Sequence, residues 1–282
     1  MNNLEKIVKL NILTCPNCCN GKDLVLINGP YQQNCSFELH TQQFKCIHCE
    51  ELFPITSKLI PVLWSNELKS VYLENLSTNA LVSNKEVYDY ISDDYDKYSP
   101  GQEESKKIIN LIIKNNVNLN KINKLHLDYA CGPGLVLKAI EDEFEYTSIG
   151  VDISLRNLEN VVNNTQDIVI CADACHLPFK PRVFDLVTES GGLHHIQNWE
   201  QAVDESFRIL DGNGIFIFNS EPSKEQMKWS KLAIFIFNLR FPVYHILSYF
   251  IKSKYNFRNL EIARLNVQAE VHHAPNKGLD IN

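Results

Sequence analysis

The chain is poor in the residues that mark fibrous or low-complexity proteins, with eleven glycines and eleven prolines among 282 residues. That scarcity excludes a collagen-like or low-complexity chain. A surplus of positive charge is also missing: 27 Lys and Arg face 34 Asp and Glu, a net charge of −7. Non-specific binding to nucleic acid draws on surplus cations, so nucleic acid is not expected as the main partner. The first residues, MNNLEKIVKL, lack a continuous apolar stretch and carry Glu5. No secretory signal is read there. No internal repeat occurs. What remains, 44% hydrophobic and 22% charged, is ordinary globular usage, neither disordered nor coiled-coil, at a length suited to one large or two smaller domains.

Cysteine is plentiful and unevenly placed. Six of the nine lie before residue 50: Cys15, Cys18, Cys19, Cys35, Cys46 and Cys49. An odd count without an export signal favours metal binding over a disulfide framework and implies a reducing, cytoplasmic compartment. Cys15-Pro16-Asn17-Cys18 and Cys46-Ile47-His48-Cys49 are two C-x2-C knuckles separated by 27 residues. Each tight turn presents two thiolates, and two turns complete a tetrahedral S4 site that favours zinc over iron. Cys19 or Cys35 could stand in as a ligand, and His48 lies close. A closed four-thiolate site has no open position, which makes it structural. The segment 1–66 carries five Lys and five acids. A neutral unit of this size has too little core to fold without metal or a partner.

Residues 67–122 read as polar and helical, with ESKKIINLII (104–113) at helical spacing and a tyrosine-rich stretch before it, Tyr88, Tyr90, Tyr95 and Tyr98. From residue 123 to 222 strand-like and helix-like runs alternate. The candidate strands are 125–130, 148–154, 167–174, 184–190 and 214–220, with helices near 135–143, 155–163 and 199–210. Short strands at 22–28 and 37–44 belong to the cysteine-rich segment. The alternation predicts an α/β, Rossmann-like doubly wound, mainly parallel sheet, preceded by a small zinc-ribbon domain.

The strongest local signal is Asp128-Tyr129-Ala130-Cys131-Gly132-Pro133-Gly134, a glycine-rich turn between strand and helix. Small residues let the backbone approach a ligand, and the helix N-terminus offers free N–H groups. Asp152 ends the next strand and is placed to accept both hydroxyls of a ribose. Asp173 follows the third strand, where a carboxylate can accept from an adenine amino group. Ligands of open α/β sheets bind at these strand ends.

In this context LHLDYACGPG, GVDIS, CADACHLPF, FDLVTESGGLHHI and AVDESFRILDGNGIFIFNSEP stand in the order of the five core motifs of class I S-adenosylmethionine-dependent methyltransferases. Region 125–222 resembles that family, in its small-molecule, ubiquinone/menaquinone-type form. The resemblance implies S-adenosylmethionine as cofactor. It places Asp128 at the methionine amino group, Ala130, Cys131 and Gly132 under the cofactor, Asp152 on the ribose, Ile153 against the adenine, and Asp173 and Ala174 at its edge. Gly134 and Ser190 complete the set. Tyr95 and Tyr98 resemble the aromatic segment that folds over the cofactor. Ala130 stands where the family usually has Gly, a change small enough for binding to survive. Residues 1–66 resemble the zinc ribbon that precedes some bacterial methyltransferases. Their ending FPITSKLIPVLW is similar to that ribbon's YPI-x-x-GIP-x-L run, with Lys58-Leu59 in place of the glycine step.

Methyl transfer from a sulfonium is an in-line displacement that needs alignment and exclusion of water, with a general base only where the acceptor demands one. Glu189, Ser190, His194 and His195 follow the fourth strand, and a histidine near neutral pKa can take a proton. ESGGL (189–193) is not the Asn/Asp-Pro-Pro-aromatic pattern of amino-directed nucleic-acid methyltransferases, and no Pro-Cys follows that strand. The expected acceptor is small or lipid-like. RNA methylation with the ribbon as reader and a non-catalytic binding module are the alternatives.

Residues 223–265 carry eight Lys and Arg against two Glu around the apolar run 232–251, which Arg240 and Pro242 interrupt. That run reads as a helical lid or a surface for peripheral contact with anionic lipid, not a membrane span. The family's sixth and seventh strands are not found. Residues 265–282 read as the approach to a final helix and hairpin, so 223–282 is expected to be a shortened form of the usual ending.

Overall fold

A computed structural model of the chain describes residues 1–18, 24–29, 35–73, 102–116, 124–165, 167–236, 239, 272 and 276–280. The chain opens on helix α1 (Asn3–Leu10), whose start is set by a capping box. The Asn2 side chain accepts from the Glu5 N–H at 2.9 Å, and the Glu5 carboxylate accepts from the Asn2 N–H at 3.1 Å. Two donors that the first turn leaves unpaired are thereby satisfied.

An antiparallel three-stranded sheet follows, β1 (Leu24–Asn28), β2 (Leu39–Cys46) and β3 (Leu52–Thr56), in that spatial order. Next come α2 (Asn66–Leu73) and α3 (Gln102–Asn115). The second sheet is built by β4 (Lys124–Tyr129), α4 (Leu135–Glu141), β5 (Tyr146–Asp152), α5 (Leu155–Asn164), β6 (Ile168–Cys171), β7 (Phe184–Ser190), α6 (Trp199–Ile209) and β8 (Leu210–Asn219). Its order is β6-β5-β4-β7-β8, and every neighbouring pair is parallel. The chain reverses its winding between β4 and β7, and that switch opens a crevice beyond the carboxyl ends of the strands.

The strands and helices expected over 125–220 are present, with two informative differences. The third strand stops at Cys171, not 174, because Asp173 caps a 3-10 turn (Ala174–His176), accepting from the Cys175 N–H at 3.0 Å. The last strand begins at Leu210, directly after α6. Phe184 pairs with Leu210 and Leu186 with Ile215, so Asp211–Gly214 bulge out of register.

The ribbon is seated on the open edge of the parallel sheet. Unpaired edge groups on β6 would otherwise face solvent. Instead the Cys171 N–H donates to Pro61 O at 2.9 Å, and the Leu63 N–H donates to Cys171 O at 2.8 Å. Asn3 completes the cover from α1: its amide donates to Val169 O at 3.1 Å and accepts from the Val169 N–H at 3.0 Å. Leu13 also bridges antiparallel to Phe179. Leu4, Ile7, Phe44, Phe53 and Ile55 share one buried core with Leu127, Ile149 and Ile170.

Of the stretch 265–282, the described residues form neither helix nor hairpin strand. Leu279 is fully buried and bridges Ser223, and the Asn276 N–H donates to Met227 O at 2.7 Å. These described residues pack against 222–227. Tyr88, Tyr90, Tyr95 and Tyr98 and most of 237–271 lie outside the described residues. Among the described residues no helix is long and apolar enough to cross a membrane.

Candidate functional site

At the carboxyl ends of β4, β5, β6 and β7 lies an open cleft. Asp128, Ala130, Cys131, Gly132, Asp152, Ile153, Asp173, Ala174 and Ser190 line it. Gly134 does not. It starts α4 at φ 81° and faces the Val161 side chain. The turn itself needs left-handed backbone, with Ala130 at φ 49° and Gly132 at φ 52°. A Cβ at Gly132 would meet no protein atom within 4 Å. It would project into the open space of the cleft.

Asp152 is buried and fully engaged. Its Oδ2 accepts from the Gly132 N–H and its Oδ1 from the Ser154 N–H, both at 2.8 Å. The carboxylate at the end of β5 thus holds the glycine turn of β4 in place. Asp173 has one oxygen on the Cys175 N–H and the other 3.3 Å from His176 Nδ1. Asp128 lies deepest. The Thr188 hydroxyl donates to its Oδ1 at 2.6 Å, and His126 Nε2 lies 2.8 Å from that hydroxyl. Since the Thr188 proton goes to the carboxylate, His126 donates through Nε2 and its Nδ1 accepts from Ser148, 3.0 Å away. Burial pushes His126 down to about 3, so the ring is neutral. Burial pushes Asp128 up to about 7, Thr188 partly opposes this, and Asp152 and Asp167 add to it. His126 and Thr188 were not among the expected site residues. The signal was the period-two alternation of LHLDYA, which puts His126 and Asp128 on the same face of β4.

Among the described residues the lining carries three carboxylates and no lysine or arginine. A dinucleotide pyrophosphate would face that negative field unpaired. A nucleoside bearing a sulfonium and an ammonium would be complemented by it.

Residues 127–218 match the family model described as a methyltransferase domain. Over these residues the chain is similar to methyltransferase domains. An uncharacterized protein of Methanocaldococcus jannaschii is 35% identical over 136 residues, 48% of this chain and 50% of that protein. The malonyl-acyl-carrier protein O-methyltransferase of Geobacter sulfurreducens is 28% identical over 131 residues, 44% of this chain and 48% of that one. The human mitochondrial arginine-hydroxylase NDUFAF5 is 32% identical over 98 residues, 33% of this chain and 27% of that one. The chain therefore spans half the length of these relatives or less.

Within the matched region the two histidines after β7 part company. His195 lines the cleft. His194 is buried, with Nδ1 on Glu221 Oε2 at 3.0 Å, and its carbonyl accepts from the His272 N–H at 2.9 Å. Glu221, at the end of the NSEP run, also accepts from the Leu193 N–H at 3.0 Å and the His194 N–H at 2.9 Å. Glu189 accepts from the Gly192 and Leu193 N–H groups. Burial and the neighbouring Glu221 push the Glu189 carboxyl well above the usual carboxylate range. Two carboxyls thus hold the turn that presents His195. Glu221 was missed because only the tertiary fold brings the end of β8 to this turn.

Ala130 and Gly192 form a matched pair across the mouth of the domain's glycine turn. A Cβ on Gly192 would fall 2.6 Å from the Ala130 Cβ and 2.9 Å from Glu189 Oε1. Gly192→Ala is therefore expected to destabilise the protein by roughly 1–3 kcal/mol, the usual cost of overpacking. Ala130→Gly in the same chain should recover part of that loss. Thermal unfolding of the two single variants and the double variant checks this, and strictly additive effects would refute the pairing.

In the ribbon, Cys15, Cys18, Cys46 and Cys49 converge, all four sulfurs within 4.8 Å of one another. Cys15 and Cys49 Sγ lie 3.7 Å apart, and Cys18 and Cys46 Sγ 3.8 Å. A metal bonded to four sulfurs at about 2.3 Å requires tetrahedral edges of about 3.8 Å. The His48 and Cys49 N–H groups point at Cys46 Sγ, at 3.4 and 3.5 Å. Burial acts to raise the Cys46 thiol, but these donors and the neighbouring thiols prevail and bring it down to about 7. Cys35 does not join the cluster, His48 contributes its backbone to it, and Cys19 lies outside the described residues.

Proposed function

We propose that the protein transfers a methyl group from S-adenosylmethionine to a small or lipid-like acceptor, and that zinc holds its N-terminal ribbon. The observation that carries the reading is the strand-end cleft in the region similar to methyltransferase domains, whose described lining holds three carboxylates and no lysine or arginine. S-adenosylmethionine bound there would supply an electrophilic methyl group on a sulfonium. Asp152 would hold the ribose hydroxyls, and Asp128 would face the ammonium end. Asp173 and Ala174 would border the base, with Ile153 against its face. His195 lines the cleft and would take the proton of an acceptor that loses one. His194 serves the turn and not the proton, given its bond to Glu221.

The four-sulfur geometry supports a closed zinc site that is structural. Lipid-like acceptors are supported by Leu232, Phe235, Ile236 and Leu239, which expose apolar surface beside Lys228 and Lys231 in the basic segment 223–265. Peripheral contact of this segment with anionic membranes and a cytoplasmic location follow from the same reading. Anionic liposomes should sediment the protein while neutral ones do not.

The deciding experiment is calorimetric titration of the zinc-loaded chain with S-adenosylhomocysteine, for which saturable one-to-one binding in the micromolar range is expected. Absence of binding to a folded, zinc-loaded sample refutes the reading. The titration should also depend on pH. Asp128 ionises at about 7 in the ligand-free protein, and only the ionised form attracts the ligand ammonium. Affinity should therefore be level above pH 7 and fall below it, by up to tenfold per unit. Asp128→Asn should flatten this profile. A wild-type profile that is already flat between pH 5.5 and 8 would remove Asp128 from the ammonium site.

A further inference from the structure

Asn157 has no role in the site as built so far. It sits in the first turn of α5, where its backbone N–H donates to Ser154 Oγ at 3.2 Å. The residue is among those that line the cleft, yet it is 1% exposed. Neither its Nδ2 nor its Oδ1 has a hydrogen-bond partner among the described residues. A buried amide with both ends unsatisfied is costly and is seldom left so without a reason. Apolar residues of similar size would fill the same space at no such cost. The unsatisfied groups therefore point to something that arrives later.

The amide's position selects the ligand part it meets. Asp152 is an acceptor-only group, suited to hydroxyls. A carboxamide offers a donor and an acceptor side by side in one plane, the pattern that matches the 6-amino group and adjacent ring nitrogen of adenine. Asn157 shares the lining with Ile153, Asp173 and Ala174, the residues that the cofactor reading puts at the base.

We propose that the Asn157 carboxamide hydrogen-bonds the 6-amino edge of the adenine and sets the selectivity of this site for that base. The inference rests on the cofactor reading above and adds to it a residue that determines base recognition. Oδ1 accepts from the 6-amino group, and Nδ2 donates to the neighbouring ring nitrogen. The unpaired amide makes the ligand-free protein less stable than it need be, and the ligand removes that defect on arrival.

The test compares S-adenosylhomocysteine with its 6-deamino analogue, in which purine riboside replaces adenosine, on the wild type and on Asn157→Leu. Thermal unfolding is followed in parallel. In the wild type, loss of the 6-amino group should weaken binding about hundredfold, with Asp173 and Asn157 each contributing about tenfold. In Asn157→Leu the same change of ligand should cost only about tenfold, and the ligand-free variant should unfold at a higher temperature than the wild type. A structural role for Asn157 predicts the opposite: a lower unfolding temperature and an unchanged ratio between the two ligands. An unchanged ratio overturns the proposal. Asn157→Ala, which cannot overpack, is measured for the same ratio should the leucine variant fail to fold. If the wild type binds neither ligand, the cofactor reading itself fails. If it binds S-adenosylhomocysteine and the ratio is unchanged in the variants, only the role of Asn157 does.

Discussion

Asp152→Ala should weaken S-adenosylhomocysteine binding at least hundredfold. Two losses combine. The carboxylate is the ribose acceptor of the proposed site, and hydrogen bonds to a charged acceptor contribute roughly 1.5–3 kcal/mol. It also anchors the loop on which the ligand lies, through the N–H groups of Gly132 and Ser154 at 2.8 Å. Without it Gly132, at φ 52°, has no partner to hold its amide, and the cradle must be ordered at the expense of binding. The unfolding temperature should fall as well, since buried donors lose their acceptor. Asp152→Asn separates the contributions. It keeps an acceptor but turns a donor toward one of two N–H groups, so binding should remain weak while stability recovers in part. Calorimetry with circular dichroism on the three proteins checks this. Wild-type affinity in Asp152→Ala would show that the ligand lies elsewhere.

Removal of the metal should have the other large effect, and it should reach the cleft. The ribbon core is small and part of it is the cluster itself, with Cys15 and Cys46 fully buried. Binding of a structural zinc ion contributes on the order of 10 kcal/mol to units of this kind. Chelation, or Cys46→Ser, is therefore expected to unfold residues 1–66 and open them to proteolysis. The consequence does not stop there. Pro61 and Leu63 pair with Cys171, and Asn3 pairs with Val169, so the edge strand β6 loses its cover. Ala172, Asp173 and Ala174, which follow β6 directly, line the cleft. Affinity for S-adenosylhomocysteine should fall in the zinc-free protein and return when zinc is restored. Limited proteolysis and titration before and after chelation measure both effects. Unchanged affinity in a metal-free, protease-sensitive sample would show that the ribbon and the cleft are independent.

Much of this architecture is legible along the chain because its causes are local. Strands β4 to β8 announce themselves as apolar runs between helical ones, and the parallel sheet follows from the need of each crossover to pack back on it. The turn at Asp128–Gly134 is legible because left-handed backbone and close approach demand small residues. The two C-x2-C knuckles are legible because one turn must deliver two thiolates. Where the strand limits were misjudged, local polar groups decided: Asp173 leaves the strand to cap a turn, and Asp211–Gly214 bulge.

What the sequence by itself determined is thus the order of elements, the glycine turn, the acids at the strand ends and the pairing of the knuckles. Only the tertiary structure decided that His195 faces the cleft while His194 is held by Glu221, that Thr188 and His126 stand behind Asp128, and that Ala130 requires a glycine at 192. It alone placed the ribbon on the edge of β6 and left the Asn157 amide buried without a hydrogen-bond partner among the described residues. The reason is physical. These features are contacts between residues far apart in the chain, and their energies come from burial and from shared hydrogen bonds that exist only once the sheet has assembled.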